Sequence, residues 1–60
     1  MSQLSNSDER ILRQCSSSQK ERVEKFLGDG WKIDDYDGDV LIKKGFSYKW
    51  VKRDGYTCAA

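Results

Sequence analysis

Histidine and proline are both missing from this chain of 60 residues, cysteine occurs twice, and the longest aliphatic run is the triplet Val40-Leu41-Ile42. Without histidine there is no Ser-His-Asp or Cys-His pair, no imidazole base near neutral pH and no mixed Cys/His zinc site. An aliphatic triplet falls far short of the roughly 20 apolar residues that cross a bilayer, so no membrane partner is expected. The opening MSQLSNSDER has neither the basic nor the apolar part of a signal peptide, which predicts a soluble, cytoplasmic protein. Cys15 and Cys58 are too few and too far apart for a metal cluster or a CxxC motif, and a small secreted scaffold would carry more cysteine. They read as reduced thiols. A disulfide between them would close a long loop, but nothing in the spacing favours it.

The length allows one small domain. Such a domain buries only about 60% of the surface its unfolded chain exposes, too little to enclose a deep pocket. No small-molecule substrate, cofactor or enzymatic activity is therefore expected. The acidic run Asp34, Asp35, Asp37 and Asp39 resembles a calcium loop only superficially. With Gly38 at the sixth position, the first ligand would be Ile33 and the twelfth Lys44. Gly28-Asp29-Gly30 follows a helical pattern instead of opening one and lacks the Lys-Ser/Thr of a phosphate loop, so it reads as a helix stop and turn.

Two parts are predicted: residues 1–17, a polar segment that is either a tail or a short amphipathic helix, and residues 18–60, a single α+β domain. In the first part, Asn6 and Glu9 have capping-box spacing, Ile11, Leu12 and Cys15 form a stripe, and Leu4 adds one apolar side chain. A second helix is predicted over 19–27, capped by Ser18 with Glu21 and stopped at Gly28. Its apolar stripe is Val23, Phe26 and Leu27. The period then changes to two, giving strands over 31–36, 39–43 and 46–53, with a short fourth over 56–58 after Asp54-Gly55. Asp37-Gly38 reads as a two-residue hairpin turn that pairs Tyr36 with Asp39, Asp34 with Leu41 and Ile33 with Ile42. The fold expected is one main helix on a three-stranded antiparallel meander, with a short N-terminal helix and a fourth strand as options.

The turn at Lys43-Lys44-Gly45 decides the function, because a one-residue slip moves every side chain to the other face. A two-residue Lys44-Gly45 loop would turn Phe46, Tyr48 and Trp50 away from the helix as a binding platform, but it asks Lys44 for positive φ. A three-residue loop ending in Gly45 avoids that strain. It would gather Trp31, Ile33, Val40, Ile42, Phe46, Tyr48 and Trp50 beneath Val23, Phe26 and Leu27, and it would set Lys49 opposite Asp39. Large side chains contribute roughly 1.5 to 3 kcal/mol each when fully buried, so a chain this short can ill spare three aromatics to solvent. Turn chemistry and burial both favour this arrangement.

The leading expectation is accordingly a non-catalytic binding or regulatory protein that contacts another protein through Tyr36, Asp39, Leu41, Lys49, Val51 and Arg53 on the outer sheet face. Homodimerisation through an open strand edge is a variant of it. The alternative is a single-stranded nucleic-acid-binding module, with Tyr48 and Trp50 stacking on bases and Lys43, Lys44, Lys49, Lys52 and Arg53 on phosphate. Residues 41–60 carry five basic side chains against Asp54 alone, but residues 1–40 carry six basic against nine acidic. The field is dipolar, without a dominant basic patch. Register chooses between the two readings: an open Trp50 beside lysines would put nucleic acid first.

Overall fold

The computed structural model describes residues 6–60. Leu4 lies outside them. Two helices precede four strands: α1 Asn6–Gln14, α2 Ser17–Gly28, β1 Lys32–Asp37, β2 Asp39–Lys44, β3 Ser47–Val51 and β4 Thr57–Ala59. The strands form one antiparallel sheet in sequence order. The fold is thus the expected α+β meander with both optional elements present. Neither described helix is long and apolar enough to cross a membrane.

α2 begins two residues earlier than its pattern suggested, because Ser16 and not Ser18 is the cap. The Ser16 hydroxyl accepts from the Gln19 amide at 3.2 Å and donates to the Arg53 carbonyl, so it ties the helix start to the loop after β3. Gln19 sits where a capping-box side chain would turn back to the cap, but it points into the core instead. It is fully buried, and its Nε2 donates to the Gly38 carbonyl at 3.0 Å and the Val51 carbonyl at 2.9 Å. One amide group therefore links α2 to the tip of the first hairpin and to the end of β3.

The stop of α2 is Gly30, not Gly28. Gly30 has φ +95, its amide donates to Leu27, and the Trp31 amide donates to Phe26 at 3.0 Å. These two bonds make a Schellman motif, and the apolar contact that accompanies such motifs is present: Phe26 and Trp31 pack edge to face with centroids 5.6 Å apart.

The core consists of Leu12, Val23, Trp31, Val40, Ile42 and Val51, with Ile11, Cys15, Phe26, Leu27, Ile33 and Tyr36 packed around it. In β1 the inward residues Ile33 and Tyr36 are three apart, an odd spacing that a strand permits only through an extra residue. Asp34 is that residue. Ile33 does pair with Ile42, but beyond the bulge Asp35 opposes Leu41, Tyr36 opposes Val40 and Asp37 opposes Asp39. The expected Asp34–Leu41 and Tyr36–Asp39 pairs are thereby corrected.

The second hairpin turns in neither expected way. Lys44 pairs with Ser47, so the loop is Gly45-Phe46, with glycine first at φ +63 and phenylalanine second at negative φ. That is the residue order of a type II′ turn, which needs no strained lysine. Leu41 then opposes Trp50, Val40 opposes Val51 and Ile42 opposes Lys49. Phe46, Tyr48 and Trp50 are therefore outside the core, Tyr48 and Trp50 on the face that the two-residue alternative gave them and against the three-residue reading, and Val51 enters it. The apolar surface forgone is replaced by Val51, by Tyr36 and by α1, whose Leu12 is 6% exposed.

Candidate functional site on the outer face of the sheet

Alternation along each strand divides the side chains between a face under the helices and a face turned away from them. Val40, Ile42 and Val51 mark the first. Three rows cross the second. The middle row reads Asp35, Leu41, Trp50 and Cys58 from β1 to β4. Beyond it toward the Gly45 turn lie Lys32, Lys43 and Tyr48, and beyond it toward the Gly38 tip lie Asp37, Asp39 and Lys52.

An apolar centre thus lies between a basic end and a mainly acidic one. Leu41, Trp50 and Cys58 are half-buried by their neighbours, Tyr48 is 40% exposed, and Phe46 at the turn is fully exposed. Lys52 is the one lysine among the acidic side chains, and its Nζ lies 3.1 Å from Asp39 Oδ2. That hydrogen bond, followed by the charge of Asp39, raises the Lys52 pKa above its ordinary value.

The residues expected to form a protein contact do not share this face. Asp39 and Leu41 are on it. Tyr36 and Val51 are turned to the helices, where Val51 is buried, and the Arg53 carbonyl is held by Ser16 in the loop after β3. Lys49 is also on the helix side, with its Nζ 5.7 Å from the centre of the Trp31 ring. Lys52, not Lys49, stands opposite Asp39.

The set expected for nucleic acid is divided as well. Lys43, Tyr48, Trp50 and Lys52 occupy the outer face. Lys49 does not, and Lys44 reaches toward the end of α2, donating to the Asp29 carbonyl at 2.9 Å with the Asp29 carboxylate 3.9 Å away. The outer-face residues that neither expected set contained are Lys32, Asp35, Asp37 and Cys58. Two apolar residues flanking Asp34-Asp35 were the available sign of a bulge in β1, and a bulge puts Asp35, not Asp34, beside Leu41.

Cys15 packs against the core while Cys58 lies in the Trp50 row on the other face, so the sheet separates the two thiols. Burial raises the Cys15 pKa, opposed by the positive charges of Arg53 and Lys20, and its thiol donates to the Ile11 carbonyl. Among the described residues no three cysteine or carboxylate side chains gather closely enough to hold a metal ion. Comparison with protein-family models, with curated proteins and with solved structures returned no match.

Proposed function

We propose that this chain is a non-catalytic protein-binding module of the cytoplasm, regulatory in the sense that it acts by occupying a partner, and that its contact surface is the outer face of the sheet. The observation that carries the reading is the half-buried Leu41–Trp50–Cys58 row set between charges of both signs. Protein interfaces combine an aromatic centre with a polar rim in this way, and opposed charges on the rim orient the encounter. A polyanion would find Asp35 in the central row and Lys52 already engaged by Asp39.

A photo-crosslinking amino acid placed at Leu41, with another at Glu24 on the exposed side of α2 as control, tests the reading in cell extract. Protein adducts at position 41 and none at 24 are expected. No adduct at 41, or equal yields at both, would overturn it.

Nucleic acid is the second reading: the aromatics do face outward and Tyr48 is open directly across from Lys43, but Trp50 is half-buried between Leu41 and Cys58 and does not lie open beside lysines. It requires oligonucleotide binding that weakens steeply with salt and disappears in Trp50→Ala without loss of folding, checked by circular dichroism. Absence of binding at low salt eliminates it.

A further inference from the structure

We infer that the partner of the outer face is a second copy of this chain, packed sheet to sheet about a two-fold axis that runs across the strands along the Leu41–Trp50 row. The inference rests on the protein-contact reading and names its occupant. The argument begins with the order of charge along the strands. Lys32 and Lys43 stand at one end of the face, Asp37 and Asp39 at the other, and the row between them is largely apolar. A partner of uniform sign could satisfy only one end. A copy of the same face satisfies both, provided it is reversed end for end.

The direction of the axis follows. An axis parallel to the strands would lay the lysine end of one copy on the lysine end of the other. An axis along the middle row reverses the strands, so Lys32 meets Asp37 of the second copy and Lys43 meets its Asp39. The symmetry makes each pairing twice, since a two-fold contact uses the same patch on both sides. The operator also lays Lys52 of one copy, still paired with its own Asp39, beside the open ring of Tyr48 in the other. Leu41 and Trp50 then lie on the axis at the centre of the contact, and at the two ends of the same row Cys58 and Asp35 meet their own copies, the Asp35 pair at the solvated rim, where like charge costs least. Reversed strands remain aligned to within the roughly 30° that facing sheets adopt, so the packing is that of a β-sandwich completed between two chains.

Size sets the strength. Four strands about 4.8 Å apart and about 17 Å long present a face of roughly 300 Å² before side-chain relief, less than half of the roughly 800 Å² per partner that a stable interface buries. The dimer is therefore weak. A modest, reversible affinity fits a face that leaves Tyr48 40% exposed in the single chain.

Sedimentation equilibrium from about 10 μM to 1 mM tests this, using charge exchange between two exposed edge positions that do not enter the core. Lys32→Glu alone faces Asp37 of the second copy, and Asp37→Lys alone faces its Lys32. Each is expected to weaken the dimer about tenfold, because symmetry counts each change twice. The double variant is expected to return to within about threefold of the parent. Trp50→Lys is expected to leave a folded monomer, with folding checked by circular dichroism. A parent chain that stays monomeric at 1 mM overturns the inference, as does a dimer whose charge exchange gives no rescue. The crosslinker at Leu41 separates this failure from failure of the broader reading. Adducts of twice the chain mass support the second copy, adducts of other protein masses overturn it while keeping the protein-contact function, and no protein adduct overturns both.

Discussion

The same strands build both faces of the sheet, yet the helix-side face is dry and the other is wet, and the difference lies in side-chain shape and tethering. On the helix side Val40, Ile42 and Val51 have no exposed surface, and the buried amide of Gln19 links the carbonyls of Val51 and Gly38 to α2. β-branched residues with one preferred rotamer fill that layer closely. On the other side sit Leu41, Tyr48 and Trp50 among six charged residues, of which Lys52 and Asp39 form the only short ion pair among the described residues. One face is built for uniqueness of fold, and the other presents chemistry to something outside it. Trp31 is in the core and Trp50 is not, so size alone does not assign an aromatic side chain to the interior of a small domain.

Substitutions at neighbouring positions break the comparison most sharply. Ile42→Ala is expected to cost about 2 to 5 kcal/mol, enough to unfold much of a domain this small, whereas Leu41→Ala costs less than about 1 kcal/mol. Urea unfolding of the two variants checks this, and equal losses would contradict the division of faces. Gln19→Ala comes next. It leaves the Gly38 and Val51 carbonyls without their side-chain donor, at an expected cost of about 1 to 3 kcal/mol, measured in the same way.

The turn that assigns the faces gives a smaller effect. A Cβ at Gly45 would meet nothing within 4 Å, so Gly45→Ala carries only the strain of positive φ, about 1 to 2 kcal/mol. Gly28→Ala, with the same open surroundings and no positive φ, is expected instead to stabilise by up to about 1 kcal/mol. Thermal melts of the pair would show shifts of opposite sign.

The smallest effect is electrostatic. Lys52 is raised by Asp39, so its contribution is fully present below the ordinary lysine value and is lost as pH rises through the raised one. Asp39→Asn is expected to move the Lys52 titration downward, read by NMR of the lysine side chain. An unchanged titration would mean that the two groups do not interact in solution.

What the sequence disclosed, and what it concealed, follows from the range of each signal. Helix periodicity, the Ile33–Ile42 pair and the meander order are local or nearly so, and they could be read directly. The helix ends could be read only to within two residues, because Ser16, Ser18, Gly28 and Gly30 all suit caps, and tertiary contacts to Arg53 and Trp31 select among them. The second hairpin was misread for a different reason. Burying Phe46, Tyr48 and Trp50 seemed necessary only while α1 was left out of the core. Ile11, Leu12 and Cys15 supply that cover, and Gly45 can then take the first position of its turn. The outer face became legible only after this register was known, since the protein-contact set had been drawn with β3 turned to the opposite face, while the two-residue alternative had the aromatics on the correct face but two residues out of register.

Cross-strand proton contacts in the second hairpin test this register most directly. A NOESY spectrum of the parent chain is expected to show backbone contacts from Val40 to Val51 and from Leu41 to Trp50, with none from Val40 to Tyr48. Contacts from Val40 to Tyr48 and from Ile42 to Phe46 would return the aromatics to the core and remove the face on which the proposed function stands.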